Sequence, residues 1–335
     1  MDKIIEKLLS STEPAIIYKT RVNVLGENPD STEIEKLQHK IVESERVRKL
    51  LSRTDASGKL KPVANPYKKW YGAHWVLARL ADIGYPEAQK ELLPLRDQTY
   101  EAFLAQKYLK DFKCESKSAA YSKKGVPVIN GRTRRCASQQ GNALYSTLAL
   151  GIADQRAERL AQLLIKWQWP DGGWNCDKNP EAKNSSFWET LIPLRALSLY
   201  SKINNDQKAK NTVRRASEIF LKRRLFKRQK DDRIMNPEFL KLHYPCYWKY
   251  DILFALKVMA EAGCIDDQRC VLALDILEQK RLDDGGWPAE GRFYKNGKLK
   301  YSGTELVSWG GVNKKKTNEW VTVDALYVLK EAGRI

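Results

Sequence analysis

Side chains that could act in catalysis gather near the starts of five apolar segments of this chain. Four carboxylates stand there, and a pair of carboxylates above aromatic side chains suits acid and base chemistry on sugars. Each carboxylate could equally cap the positive end of a helix, where the helix dipole favours negative charge. The candidate catalytic residues are Glu189, Asp251, Glu319 and Asp324.

Aromatic and amide side chains accompany these carboxylates. A cavity lined by aromatic faces and a few converging polar groups is how proteins hold small organic molecules, although buried aromatic residues also serve simply as core. We therefore expect a hydrophobic or partly anionic small molecule as the ligand. The candidate ligand-binding residues are Trp70, His74, Trp75, Asn142, Trp188, Tyr247, Trp248, Tyr250 and Trp320.

One group of residues could hold a metal ion. Cysteine, aspartate and histidine are zinc ligands, and a catalytic zinc site needs three protein ligands with one position open. The candidates are Cys176, Asp177 and His243. Cys136 and Cys246 stand close to the same helix starts, but a free cysteine is more often a small buried hydrophobic residue. Zinc is thus the one cofactor that these residues suggest.

Helical periodicity indicates which elements position these side chains. Five segments are apolar nearly all round, as buried helices are, and they alternate with four segments that have one apolar stripe and one charged face. This alternation predicts helical hairpins at a period of about 50 to 60 residues. The apolar segments are 65–84, 137–154, 184–203, 245–263 and 317–333, and the amphipathic segments are 86–106, 154–168, 206–225 and 266–281.

A short motif occurs twice. The stretch "LLIKWQWPDGGW" (163–174) aligns with "ILEQKRLDDGGW" (276–287), and both copies have Asp-Gly-Gly-Trp after an amphipathic segment. Glycine adopts the positive φ that commonly ends a helix, so each Gly-Gly pair predicts a helix C-terminus. We expect Trp174 and Trp287 to fold back over the helix ends.

The motif resembles a known repeat. Gln168 followed by Gly172-Gly173-Trp174 is similar to the QW repeat of squalene and oxidosqualene cyclases and to the related repeat of protein prenyltransferase β subunits. The second copy has Arg281 at the position of the glutamine, and Trp309-Gly310-Gly311 is a faint third copy. The resemblance implies an all-α fold, namely an α/α toroid of about five to six helical hairpins whose inner helices all begin at one mouth.

The resemblance also bears on domains and chemistry. It assigns residues 61–335 to a single toroid domain and leaves residues 1–60 as a helical N-terminal extension packed on the ring. It implies an enzyme or small-molecule binder of the terpenoid cyclase and prenyltransferase-like class. The Asp-x-Asp-Asp acid of the cyclases is absent, which argues against a squalene cyclase. The prenyltransferases bind zinc through an aspartate, a cysteine two residues later and a distant histidine, whereas here Cys176 and Asp177 are adjacent and in reversed order.

The net charge of +18 is concentrated in segments 116–135, 201–230 and 292–316. Positive potential of this kind attracts phosphates and other polyanions, although lysine and arginine also simply keep a surface solvated. Two small β-hairpin excursions are predicted, at 121–132 and 293–301, and both precede inner helices. They would hold at the mouth the candidate anion-binding residues Lys123, Lys124, Lys295, Lys298 and Lys300.

Two other function classes stay open. A helical toroid could bind nucleic acid or a partner protein through basic surface patches, above all through 214–230, which is expected on an outer helix. A carbohydrate-active α/α-toroid enzyme would instead use the four carboxylates. The chain contains no nucleic-acid-binding motif and no Gly-rich nucleotide loop that would decide between these classes.

Composition narrows the setting of the protein. No run approaches the roughly 18 apolar residues that a membrane span needs, and no N-terminal stretch has the pattern of a secretory signal. The six cysteines lack the dense spacing of a disulfide scaffold. We therefore expect a cytoplasmic protein with reduced thiols and no membrane span.

Overall fold

Helices make up most of the computed structural model, which describes residues 2–297 and 302–335. Fourteen α-helices and one three-stranded mixed sheet lie within these residues, so the mainly helical fold predicted from the sequence is confirmed. None of the described helices is both long and apolar enough to cross a membrane. The helices are α1 (Asp2–Leu9), α2 (Pro14–Lys19), α3 (Thr32–Glu43), α4 (Glu45–Leu51), α5 (Ala73–Asp82), α6 (Leu93–Phe103), α7 (Ala119–Ser122), α8 (Ala137–Ala149), α9 (Arg156–Trp167), α10 (Phe187–Asn204), α11 (Gln207–Leu221), α12 (Ile252–Glu261), α13 (Val271–Gln279) and α14 (Glu319–Glu331).

Five largely buried helices form the centre of the fold. They are α5, α8, α10, α12 and α14, and each contacts the next in chain order. The tightest approach is between α8 and α10, where a Cβ on Gly141 would lie 2.9 Å from the backbone nitrogen of Pro193. The five apolar segments of the sequence are thus confirmed as helices. Two of these helices begin later than expected, at Ala73 and Ile252, which leaves Trp70 and the aromatic residues before Asp251 in loops.

The amphipathic helices pack outside the buried ones. Helix α6 contacts α5 and α8, α9 contacts α8 and α10, α11 contacts α10, and α13 contacts α12. Their buried residues form the apolar stripes that the sequence predicts, for example Leu160, Leu164 and Trp167 of α9. The alternation of buried and amphipathic helices is therefore confirmed.

Helices α1 to α4 and a π-helical turn, Thr20–Val24, fold within the first sixty residues. Helix α2 and the π-helical turn contact α14, and α4 contacts α5. The hydroxyl of Ser11 donates to Glu319 Oε2 at 3.0 Å, and Lys330 Nζ donates to the carbonyl of Asn23 at 3.1 Å. The N-terminal helices therefore join the first and the last of the five buried helices.

The two Asp-Gly-Gly-Trp turns hold their tryptophans in the same way. The indole Nε1 of Trp174 donates to the carbonyl of Leu164 in α9 at 2.9 Å, and that of Trp287 donates to the carbonyl of Leu277 in α13 at 2.7 Å. Both tryptophans are almost completely buried. Each indole thus lies back over the helix that has just ended, as predicted.

The residue four positions before the first glycine of each Gly-Gly pair has the same role in both turns. Gly172 and Gly285 have φ values of 111° and 83°, which glycine adopts without steric cost. The Gln168 side-chain amide donates to the carbonyl of Gly172 at 2.7 Å, and Arg281 Nε donates to the carbonyl of Gly285 at 3.1 Å. The arginine of the second copy therefore makes the hydrogen bond that the glutamine makes in the first.

A small sheet forms the first of the two predicted β excursions. Strand β2 (Val126–Ile129) pairs antiparallel with β3 (Arg132–Thr133), and β1 (Asp111–Lys113) adds to β2 in parallel. In the second predicted excursion an isolated bridge pairs Lys295 with Thr304. The last four residues of that predicted hairpin, 298–301, lie outside the described residues.

Ionised side chains fill the space between the buried helices. Asp82 of α5 lies 3.3 Å from Lys257 of α12 and 3.8 Å from Arg195 of α10. Asp324 of α14 lies 3.0 Å from Lys257 and 2.7 Å from Lys19 of α2. We refer to these residues and their ion-pair partners as the central charge network. It consists of Lys19, Arg79, Asp82, Arg195, Lys257, Glu261 and Asp324.

Two cavities border the central charge network, and the larger, of about 410 Å³, is lined by Lys19, Asp82, Arg195, Lys257 and Glu261. A cavity of about 20 Å³ remains between the buried helices, lined by network residues and by side chains such as Asn142, Tyr244 and Phe254. Ligand pockets typically measure about 300–1,000 Å³. The smaller cavity is thus too small for an organic ligand, whereas the larger one, which lies toward the N-terminal helices, has a volume within that range.

Candidate thiol and carboxylate site

Three side chains able to bind a metal ion lie together where two neighbouring helices begin. The Sγ atoms of Cys136 and Cys176 and a carboxylate oxygen of Glu189 all lie within 4.8 Å of one another. Both cysteines are free and half-buried, whereas Glu189 is buried. We refer to these three residues as the thiol–carboxylate site.

Helix starts and the first repeated turn bring these residues together. Cys136 immediately precedes α8, and Glu189 stands in the first turn of α10, the helix that packs most closely on α8. Cys176 follows Trp174 by two residues, and the backbone N–H of Trp174 donates to Thr190 Oγ1 at 3.1 Å. Since Thr190 is next to Glu189, the turn is fastened to the same end of α10 that presents the carboxylate.

Hydrogen bonds connect the three acidic groups. Glu189 Oε2 accepts the backbone N–H of Ser138 at 3.1 Å, and Glu189 Oε1 accepts the thiol of Cys176 at 3.5 Å. Burial raises the pKa of the Glu189 carboxyl, despite these bonds. A hydrogen bond between the two thiols lowers the pKa of Cys136 and raises that of Cys176. Protonation of one group therefore depends on the state of the other two.

Positive side chains surround the thiol–carboxylate site. Arg135 and Lys178 act with the hydrogen bond from Cys176 to lower the pKa of Cys136. Burial lowers the pKa of Arg135, Lys178 and Lys69, and the charge of Cys136 partly offsets this for each of them. A half-buried site with three neighbouring cations favours anionic groups.

An aromatic surface lies beside these cations. Trp188 and Trp248 meet edge to face with ring centroids 5.5 Å apart, and Trp188 is 36% exposed. Lys69 Nζ lies 4.9 Å from the centre of the Trp248 ring, and Lys249 Nζ lies 5.9 Å from that of Trp188. We refer to these four residues as the tryptophan–lysine surface. It offers apolar faces and positive charge to the same ligand.

Comparisons with protein families and curated sequences found no relative of this chain. No protein-family model matches the chain, and no curated protein sequence matches it. The resemblance carried by the Asp-Gly-Gly-Trp turns stays a prediction.

Seven of the predicted ligand-binding residues lie in the core. Trp70 stacks on Tyr247 with ring centroids 3.8 Å apart, and Trp75 meets Trp70 edge-on at 4.8 Å. Asn142 contacts the His74 ring at 3.3 Å, and burial lowers the pKa of His74 to about 3, so that its imidazole is neutral. The buried members are Trp70, His74, Trp75, Asn142, Tyr247, Tyr250 and Trp320. Of the predicted set, Trp188 and Trp248 are the ones that stay partly exposed.

Three of the four predicted catalytic carboxylates are held by partners away from the two thiols. Asp251 caps α12 by accepting the backbone N–H of Phe254 at 2.8 Å, which is the capping role that the sequence allows. Glu319 accepts the hydroxyl of Ser11, and Asp324 belongs to the central charge network. Glu189 is the member of this set that lies beside the two thiols.

The structure separates the three predicted metal ligands. Cys176 belongs to the thiol–carboxylate site, whereas His243 Nδ1 lies 3.1 Å from Asp251 Oδ2 and its ring stacks on Phe293 with centroids 4.0 Å apart. Asp177 Oδ1 accepts the backbone N–H of Asn179 at 2.9 Å within its own loop. Among the described residues, the potential metal ligands that lie near Cys176 are Cys136 and Glu189, and not the predicted Asp177 and His243.

The predicted anion-binding lysines lie at exposed positions or outside the described residues. Lys123 and Lys124 are exposed next to β2, and Lys123 lines a cleft of about 840 Å³ that also contains Phe112 and Cys114. Lys295 is exposed as well. Lys298 and Lys300 lie outside the described residues. The cations nearest the two thiols are instead Arg135, Lys178 and Lys69.

The sequence predicts where the helices start but not which side chains at those starts lie together. The sequence places Cys136 before α8 and Glu189 at the start of α10, but its zinc-ligand pattern groups Cys176 with Asp177 and His243. The signal was the alternation of helices, because consecutive buried helices with one outer helix between them begin at the same end of a bundle. That rule joins Cys136 to Glu189.

Proposed function

We propose that this chain is a zinc-dependent enzyme of the terpenoid cyclase and prenyltransferase-like toroid class, acting on a hydrophobic or partly anionic small molecule. The observation that carries the proposal is the convergence of Cys136, Cys176 and Glu189 within 4.8 Å. The reaction would take place at the ends of the buried helices where α8 and α10 begin, away from the central charge network.

The residues of the thiol–carboxylate site fit zinc. Thiolate and carboxylate are both zinc ligands, and catalytic zinc sites use three protein ligands with a fourth position open. Burial raises the pKa of Glu189, and the neighbouring Cys136 thiol, burial and the Glu189 carboxylate raise the pKa of Cys176. A divalent cation would relieve this crowding of acidic groups by replacing their protons. Zinc bound there supplies a Lewis acid.

The surrounding residues suit a ligand of mixed character. Arg135, Lys178 and Lys69 would hold an anionic group near the two thiols. The exposed faces of Trp188 and Trp248 would hold an apolar part of the same molecule. Glu189 is anchored by the backbone of Ser138 and so stays oriented toward the sulfur atoms.

The helix arrangement supports the toroid part of the proposal. Buried helices contact one another in chain order, amphipathic helices cover them, and the N-terminal helices connect α14 to α5. The repeated turn has the same hydrogen bonds in both copies. These contacts are those expected of stacked helical hairpins that close into a ring, with residues 1–60 forming part of the closure.

The two alternative functions have less support. Several basic residues of segment 214–230 have partners within the chain: Arg215 donates to Gln168 Oε1 at 2.8 Å, and Lys227 lies 2.5 Å from Asp232. Such pairing reduces the charge available to a nucleic acid or acidic partner. For a carbohydrate enzyme, a pair of free carboxylates is required, and Asp251, Glu319 and Asp324 have internal partners.

Elemental analysis and native mass spectrometry of protein purified without chelator test the proposal. We expect one zinc per chain, and its loss in Cys136→Ser, Cys176→Ser and Glu189→Gln. Asp177→Asn is the matched control, because Asp177 is next to Cys176 and should leave the zinc content unchanged. Circular dichroism would verify that each variant is folded.

A metal-free wild-type protein would refute the zinc centre. Zinc that persists in Cys136→Ser and Glu189→Gln but disappears in Asp177→Asn would refute this choice of ligands. Any small molecule retained in the same mass spectra would identify the substrate class, and Trp188→Ala should release it.

A further inference from the structure

Cys136 and Cys176 form a thiol pair that is distinct from the other cysteines. Their sulfur atoms lie within 4.8 Å of each other. Cys246 and Cys270 are buried, and their thiols donate to Asp251 and to the carbonyl of Cys264. A disulfide requires the two sulfur atoms to approach to about 2.05 Å, so its formation needs a local shift of one or both side chains.

Access and surroundings also favour reaction at this pair. Both cysteines are half-buried, so a small oxidant in solvent can reach them. Cys176 lies between the first repeated turn and α10 in a stretch without helix or strand, residues 175–186, where the backbone can adjust more easily than within a helix. Glu189 accepts the Cys176 thiol and is in place to receive its proton.

We propose that Cys136 and Cys176 are a site of reversible oxidation, at which a hydroperoxide converts the two thiols into a disulfide. The consequence for the site rests on the proposed function: a disulfide removes two of the three zinc ligands, so that oxidation releases the metal. The site would then be active only in reducing conditions.

The chemistry balances with hydrogen peroxide as the oxidant. One sulfur attacks a peroxide oxygen, the O–O bond breaks, and water leaves after proton transfer, which gives a sulfenic acid. The second sulfur then attacks the sulfenic sulfur, the S–O bond breaks, and hydroxide leaves. The proton of the second thiol passes through Glu189 to that hydroxide. Two thiols and one peroxide thus give one disulfide and two water molecules, and a dithiol reverses the change by exchange.

Peptide mapping of the metal-free protein tests the site directly. Reduced chain is treated with hydrogen peroxide, the remaining thiols are alkylated, and the digest is analysed by mass spectrometry without reduction. We expect one peptide pair linked through Cys136 and Cys176, which disappears after dithiothreitol. Cys264→Ser is the matched control, because Cys264 is also half-buried and lies outside the pair; this variant should form the disulfide as wild type does.

A second measurement follows zinc. Zinc-loaded protein is treated with peroxide in the presence of a chromogenic chelator, and we expect one zinc released for each disulfide formed. Oxidation that links Cys114 to either cysteine, or that stops at an irreversible sulfinic acid, would overturn the inference.

The two proposals fail in different ways. If reduced protein binds no zinc but still forms the Cys136–Cys176 disulfide, the zinc function is wrong and the oxidation site stands. If the protein binds zinc and peroxide neither links the two cysteines nor releases the metal, the oxidation site is wrong and the zinc function stands. Both results are obtained on wild-type protein, so they do not depend on a variant that folds.

Discussion

Asp82 lies among three buried cations and a tyrosine. The hydroxyl of Tyr244 donates to it at 2.8 Å, and Arg79, Arg195 and Lys257 lie within 3.8 Å. Burial by itself would raise the pKa of the Asp82 carboxyl, but the Lys257 ammonium and the other cations hold it well below its usual range. Asp82 is therefore ionised in the folded protein at neutral pH, and it balances charges contributed by three different helices.

We expect Asp82→Asn to lower the free energy of unfolding at pH 7 by about 3–5 kcal/mol, because it leaves buried cations without a counter-charge. The pKa of this carboxyl is lower in the folded than in the unfolded state. Its contribution is therefore complete above about pH 4 and is lost as the pH falls through the folded-state value. Urea unfolding of both proteins should show a difference that shrinks in acid.

The exposed Asp30 provides the control for this measurement. Asp30→Asn should change the free energy of unfolding by less than about 0.5 kcal/mol at either pH, as surface substitutions usually do. An Asp82→Asn effect of equal size at pH 7 and in acid would contradict the assignment of the effect to the carboxylate charge.

At the scale of elements, the two repeated turns use different residues, Gln168 and Arg281, to make the same hydrogen bond to a glycine carbonyl. Gln168 donates to the carbonyl of Gly172 and also to that of Thr212 in α11, at 2.9 Å. Arg281 has the corresponding bond to Gly285. Gln168 thus connects the first turn both to its own glycine and to α11. Replacing Gln168 should therefore weaken the contact between the turn and α11 as well as the turn itself.

We expect Gln168→Ala to cost about 2–3 kcal/mol of unfolding free energy, since it removes three hydrogen bonds, two donated by the amide and one accepted from Arg215, that are worth about 0.5–1.5 kcal/mol each. Arg281→Ala should cost less, because Arg281 is exposed and its side chain donates one such bond. Arg281→Gln should recover the loss, since glutamine fills this position in the other copy. Urea unfolding would check all three, and an Arg281→Gln variant as unstable as Arg281→Ala would contradict the equivalence.

At the scale of the whole molecule, the N-terminal helices are part of the fold. Lys19 is 2% exposed and pairs with Asp324 at 2.7 Å, and Ile16 is completely buried. Burial lowers the pKa of Lys19, and the Asp324 charge partly offsets this. A pocket of about 410 Å³ lies between these N-terminal residues and the ends of the buried helices, with Tyr18 and Tyr145 in its walls. Residues 1–24 thus close one end of the bundle.

Deleting residues 1–24 should therefore expose the face of α14 and leave Asp324 with fewer counter-charges. We expect a lower urea midpoint and increased binding of a hydrophobic dye such as ANS. Lys7→Ala is the control, because Lys7 makes an exposed ion pair with Asp284 at 3.0 Å, and such pairs contribute at most about 1 kcal/mol. A truncated chain with an unchanged midpoint would show that this segment is dispensable.

How much of the fold the sequence predicts depends on how far apart along the chain the interacting residues are. Helices, their alternation and the folding back of the two tryptophans depend on neighbours along the chain, and these predictions are confirmed. The Gly-Gly pairs do not end the helices as predicted, because α9 ends at Trp167 and α13 at Gln279, and the glycines instead form the turn that follows. The central charge network could not be predicted, because Asp82 and Lys257 are charged residues within apolar segments and their meeting depends on packing. The same limit applies to the thiol–carboxylate site: its cysteines are 40 positions apart in the sequence, and only the neighbouring positions of α8 and α10 unite them.

The central charge network has a consequence for assembly. Helical hairpins built to one pattern are nearly interchangeable as shapes, and a chain of them could swap copies or skip a neighbour at little cost in apolar contact. The charges remove this freedom, since Lys257 needs an aspartate from α5 on one side and one from α14 on the other. An exchange of hairpins would leave an ion buried without its partner, a penalty that apolar packing alone would not impose. The ion pairs of the network thus favour one order of packing among similar hairpins.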